Sequence, residues 1–128
     1  MLKETIKYKD YNGNERNEDF YFNLTQAECV ELEASINGGL QALINKIIQT
    51  KDANELIVLW KRIIYLAYGE KSLDGKHFIK SKEVKDNFTY TEAYSVLFMK
   101  LSTNTDAAVA FINGIIPQVN TNVATPTN

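Results

Sequence analysis

The chain is poor in the residues on which most small-protein chemistry depends. It holds one cysteine, one histidine, one tryptophan and two prolines in 128 residues. A single cysteine, Cys29, forms no internal disulfide, which fits a reducing compartment. A single histidine, His77, lies in a polar stretch with no second histidine or cysteine nearby in sequence, so neither a zinc site nor a Ser-His-Asp array is indicated. Phosphate-binding glycine loops and dinucleotide fingerprints are missing as well. Nowhere do about 18 apolar residues run together. Met1 is followed by Leu-Lys-Glu-Thr-Ile-Lys and no apolar leader, so the sequence reads as a cytoplasmic protein that makes no use of a membrane. Charge of one sign is lacking too. Lys and Arg total 14 against 16 Asp and Glu, and the net charge of -2 leaves no electrostatic footprint for nucleic acid.

What is present is an ordinary globular composition, 45% hydrophobic and 23% charged, enough for one domain around one core. From Leu2 to Leu24 the pattern alternates. Leu2, Ile6 and Tyr8, then Phe20, Phe22 and Leu24, occupy even positions, with Asn12-Gly13-Asn14 between them. This predicts a β-hairpin over residues 1–24. Opposed residues share a face, so bringing the even positions of both strands together requires a loop of odd length or a bulge. A hairpin of two strands is marginal alone and must lie on helices or extend a sheet with another subunit. Ile6, Tyr8 and Tyr21 are the candidate self-association residues.

After Leu24 the period becomes helical, and residues 25–117 are expected to form a bundle of five to six helices. Thr25 with Glu28 and Asp52 with Glu55 have the spacing of capping boxes, and Asn37-Gly38-Gly39 breaks the first helix. Cys29 falls at the fourth helical position after the Thr25 cap, where it staples onto Leu24. Leu40, Leu43, Ile44, Ile47 and Ile48 line one helix face. The next helix, from about Asp52 to Ala67, is apolar on more than one side and is the central core candidate. Gly69 is read as its end, and Glu70 to Ser81 as a polar loop turning at Asp74-Gly75. Glu70, Ser72, Asp74 and Gly75 weakly echo a calcium loop, but Ser81 stands where a glutamate is needed, so no metal or other cofactor is expected. Lys71, Lys76, Lys80, Lys82 and Lys85, interrupted by acids, read as a solvated face. Three shorter helical patterns follow, and Pro117 closes the last. The expected class is α+β, with Trp60, Ile63, Ile64, Leu97, Phe98 and Phe111 in the core and a flexible polar tail at 118–128.

Several runs share an order with a known family: Tyr68-Gly-Glu-Lys-Ser72, Leu73-Asp-Gly-Lys-His-Phe78, Lys80-Ser81, Thr91-Glu-Ala-Tyr-Ser-Val-Leu-Phe98 and Phe111-Ile-Asn-Gly-Ile-Ile-Pro117. With Leu2-Lys-Glu-Thr-Ile-Lys-Tyr8, Asp10-Tyr-Asn-Gly-Asn14 and Asp19-Phe-Tyr-Phe-Asn-Leu-Thr25, the chain over residues 2–117 resembles the tail assembly chaperones of long-tailed bacteriophages, particularly those of Gram-positive hosts. The resemblance implies a protein that is not an enzyme. It implies binding to the tape measure protein, keeping that protein soluble while tail tube protein polymerises around it, and release before the virion is complete. Many members also exist in a longer, frameshifted form. Apolar positions of the last two helices and the segment after them, Tyr94, Phe98, Leu101, Phe111, Ile115 and Ile116, are the candidate partner-binding residues. The competing reading is a tail or head-tail connector component retained in the virion.

Overall fold

Alternation of apolar and polar residues sets the first two elements. The structure, a computed structural model, describes residues 1–35 and 37–117. Strand β1 (Leu2–Lys9) pairs antiparallel with β2 (Glu15–Phe22), in a register running from Leu2 opposite Phe22 to Lys9 opposite Glu15. Every pair joins positions of one parity, and the connection Asp10–Asn14 is odd in length, as the face argument requires. The Asp10 carboxylate organises this turn. One oxygen accepts the backbone N–H groups of Asn12 and Asn14, both at 2.9 Å, and the other accepts Arg16 Nε at 2.6 Å. Arg16 and these amides hold the Asp10 carboxyl below the usual carboxylate range. Ile6 and Phe22 point into the core, whereas Lys3, Thr5, Lys7 and Lys9 face out.

Six helices carry the rest: α1 (Gln26–Ser35), α2 (Gly39–Gln49), α3 (Ala53–Ala67), α4 (Lys82–Thr89), α5 (Glu92–Thr103) and α6 (Thr105–Ile115). The Thr25 box is complete. Glu28 N–H donates to Thr25 Oγ1 at 3.1 Å, and Thr25 N–H donates to Glu28 Oε1 at 2.8 Å. The Asp52 box is half formed, because Asp52 accepts from Asn54 N–H while Glu55 pairs instead with Lys46 at 3.1 Å. Gly38 and Gly39, with φ of 89° and 72°, turn the chain between α1 and α2 in a region that side chains resist. Ser81, Thr91 and Asn104 cap α4, α5 and α6 through their side-chain oxygens. Helix α5 packs on β1, α3 and α6, and α6 also packs on α2.

The segment after α3 differs from the expected loop. Helix α3 ends at Ala67, before Gly69, and the chain continues directly into β3 (Tyr68–Lys71), which turns back through β4 (Phe78–Ile79). Tyr68 pairs with Phe22, and Gly69 with Tyr21. The sheet order is β1-β2-β3-β4, so the N-terminal hairpin is extended by its own chain. Gly69 is needed because a Cβ there would lie 2.7 Å from the Phe78 ring. The Asp74-Gly75 turn is present inside this second hairpin, where Asp74 accepts from Ser72 Oγ and Lys76 N–H.

Aromatic rings join sheet to helices. Phe88 of α4 stacks on Tyr68 with centroids 4.2 Å apart, Phe22 meets Phe111 edge-on at 5.2 Å, and Phe111 meets Trp60 at 5.9 Å. Trp60, Ile63, Ile64, Leu97 and Phe111 are buried as expected. Phe98 is only half-buried, beside Tyr94 at the margin of the core.

The last turn of α3 is closed from outside the helix. A helix end leaves four carbonyls without intrahelical donors. Here Ile64 O accepts Tyr68 N–H, and Ala67 O accepts Asn23 N–H at 2.9 Å. Leu66 O accepts both Lys80 Nζ at 3.0 Å and Lys85 Nζ at 3.2 Å, and Tyr65 O accepts Lys85 Nζ. Lys80 also reaches Asn23 O at 2.6 Å and Glu28 at 2.8 Å. Two ammonium groups therefore sit where the helix dipole is negative. The reading of this lysine run as a solvated face is corrected at Lys80, half-buried, and at Lys85, buried. Desolvation, helped by the nearby Lys80 charge and opposed by Glu28, lowers the Lys85 pKa to about 8. The expected polar tail, 118–128, lies outside the described residues.

Candidate functional site

Helix α3 turns Trp60, Ile63, Ile64 and Ala67 inward, yet its sequence is apolar on a second side as well. That second side leaves Val58 69% exposed and Ile57 40% exposed. Val58, Lys61, Arg62 and Tyr65 form one wall of an open groove of about 710 Å³, and Thr89, Tyr90 and Tyr94 form the other. Tyr90, at the end of α4, is 68% exposed. The floor is fixed. Tyr65 donates its hydroxyl to Asp86 at 2.8 Å, Lys82 pairs with Asp86 at 2.6 Å, and the Tyr94 ring rests edge-on against Phe88 at 5.7 Å. The bond to Asp86 and burial both push the Tyr65 phenol up, and burial does the same to Tyr94. At neutral pH both phenols are uncharged donors. Apolar surface, three tyrosines and the cations Lys61 and Arg62 suit the capture of a protein segment, since aromatic and apolar anchors supply most of the energy of such contacts.

Of the residues expected to meet a partner, Tyr94 lies in this groove and Phe98 is half-buried one helical turn further on. Leu101, Phe111 and Ile115 are instead core residues, with exposures of 1–2%. Ile116 is half-buried and lines a small apolar pocket with Leu24, Leu32 and Leu40. The six do not make one surface. The groove draws more on Val58 and Tyr90, which are not among the expected partner-binding residues; the second apolar side of α3 is the sequence signal for Val58.

The hairpin residues separate likewise. Ile6 is buried on the core face. Tyr8 donates its hydroxyl to Glu18, and burial followed by Glu18 pushes its phenol up to about 12. Tyr21 belongs to an interior strand and lies under Lys71, whose ammonium is 4.3 Å from its ring centre. Among the described residues only β1 presents a long outer edge. His77 is exposed in the second hairpin. Cys29 is half-buried against the core, and its thiol is pushed up by burial and by Glu28 and Glu33, which suits packing better than reactivity. Among the described residues no group of three or more His, Cys, Asp or Glu is placed to hold a metal ion, and no helix is long and apolar enough to cross a membrane.

No curated protein and no solved structure is significantly similar to the chain. A family model described as phage tail assembly chaperone matches residues 1–125, both hairpins and all six helices included. The chain belongs to the phage tail assembly chaperone family.

Proposed function

We infer that this chain binds the tape measure protein during tail assembly and keeps it soluble until tail tube protein surrounds it. The observation that carries the reading is the α3 groove, in a protein whose family works by contact with other tail proteins. An amphipathic helix laid along α3 covers Val58 and Tyr90 with its apolar face, the helix-in-groove mode. Release on tube growth requires contacts that are weak singly and sufficient together, which many copies along one long partner supply. The protein then acts in the cytoplasm of the bacterial host and is absent from the finished particle.

Co-expression with the tape measure protein tests this. The tape measure moves from the insoluble to the soluble fraction, and Val58→Asp with Tyr90→Asp reverses the rescue while circular dichroism and melting stay unchanged, because both side chains are already exposed. Binding survives moderate salt, which screens charge pairs beyond about 10 Å but leaves apolar burial intact. A tape measure equally insoluble with and without this chain refutes the reading. Stoichiometric presence in purified virions replaces it with a retained tail or connector component.

A further inference from the structure

The outer edge of β1 is a second surface, built from different elements. β1 is the end strand of the sheet, eight residues long and without proline, and among the described residues its regular main-chain pairing is with β2 alone. Native sheets blunt such edges because unpaired N–H and C=O groups attract further strands. The one blunting device here is lysine. Lys3, Lys7 and Lys9 are exposed on the outer face and have no ion-pair partner among the described residues, although Glu15 stands opposite Lys9 and Asp19 accepts the Thr5 hydroxyl at 2.6 Å.

This arrangement selects among occupants. Two copies joined edge to edge by a twofold axis pair residues of equal parity in every register, which sets Lys3, Thr5, Lys7 and Lys9 of one copy against the same set of the other. Like charges directly opposed are destabilising, so the edge resists its own copy. Beside the edge runs α5, and a cleft of about 430 Å³ is bounded by Glu4, Thr5, Ile6 and Lys7 on the strand, Asn17 on β2, and Val96, Leu97 and Lys100 on the helix. Val96 is 42% exposed and leaves an apolar wall, while Lys100 is already paired with Glu4 at 3.2 Å.

We propose that the β1 edge and α5 together form a strand-addition site for an extended segment of another protein that alternates acidic with apolar residues. The main chain of the segment completes the β1 ladder. Its acidic side chains meet Lys3, Lys7 and Lys9, and its apolar side chains enter the cleft towards Val96 and Leu97. The site is independent of the tape measure reading, and its test uses no tape measure protein.

The experiment titrates the full chain with a short capped peptide alternating Glu with Val and Thr, and with its Lys counterpart, followed by backbone amide shifts. The acidic peptide moves the amides of β1 and of α5 around Val96 and binds roughly tenfold more tightly than the Lys peptide. In K3E/K7E/K9E the preference inverts, and Val96→Asp weakens the acidic peptide further; all four side chains are exposed, so the melting temperature serves as a check on folding. Equal binding of the two peptides overturns the proposal, as do shifts confined to other elements. Concentration-dependent shifts of β1 without peptide also overturn it, since they place a second copy on the edge.

Discussion

Replacing Lys85 by Met keeps most of the buried stem and removes the ammonium that closes the end of α3. Two effects oppose each other. Tyr65 O loses its side-chain donor, and an unsatisfied buried carbonyl costs about 1–3 kcal/mol. Against this, the wild-type protein holds a charge that burial disfavours: the fall of the Lys85 pKa from 10.5 to about 8 corresponds to roughly 3 kcal/mol. Below about pH 8 folded and unfolded forms both hold the proton, and the folded form bears the whole cost. Between about pH 8 and about pH 10.5 the folded form releases the proton while the unfolded form keeps it, so wild-type stability rises with pH. The neutral amine still donates to the carbonyls. The variant has no such rise. At about pH 7 the variant is therefore as stable as the wild type or more stable by up to about 2 kcal/mol, and by about pH 10 it has lost about 2 kcal/mol relative to the wild type. Urea unfolding followed by the fluorescence of Trp60, the only tryptophan, measures both at each pH. Tyrosines with raised pKa values lose stability only above about pH 10, and they contribute equally to both proteins. A wild-type minus variant difference that stays flat from about pH 7 to about pH 10 refutes the reasoning.

Trp60→Ala removes the ring that meets Phe111 and costs about 3–5 kcal/mol in urea unfolding followed by circular dichroism; a water-exposed emission spectrum from the folded wild type contradicts its placement. Gly69→Ala forces the Phe78 ring away and costs about 1–3 kcal/mol, with the loss absent if the ring swings aside freely. Thr25→Ala breaks the capping box of α1 and costs about 0.5–2 kcal/mol, seen as a lowered urea midpoint with an unchanged slope.

Local signals were readable where one residue type at one position does the work. The parity of Ile6 and Phe22 dictated an odd connection, Thr25 with Glu28 dictated a cap, and Gly38-Gly39 dictated a break. Structure that depends on distant partners was not readable. β3 and β4 are too short for alternation to register, and Tyr68 and Gly69 become a strand only because Phe22 and Tyr21 lie alongside. Lys80 and Lys85 look like ordinary surface lysines until the end of α3 is brought beneath them. Burial of the expected partner-binding residues was unreadable for a similar reason. Apolar periodicity marks a helix face but not what covers it, so Leu101, Phe111 and Ile115 were grouped with Tyr94 although the fold buries the first three.

The closure of α3 also fixes when the molecule can finish folding. Its last carbonyls are met by Asn23 from before the helix and by Lys80 and Lys85 from after it, and the N–H of Leu24 donates to Ile115 O at the end of α6. Contacts so distant in sequence are slow to form, because each must close a long loop before it returns any stabilisation. During synthesis the first hairpin leaves the ribosome with neither its third strand nor the ring of Phe111 to cover Phe22. It waits with an uncovered apolar face until the last helix arrives, so this helper of other proteins' assembly is itself most vulnerable to aggregation while it is being made.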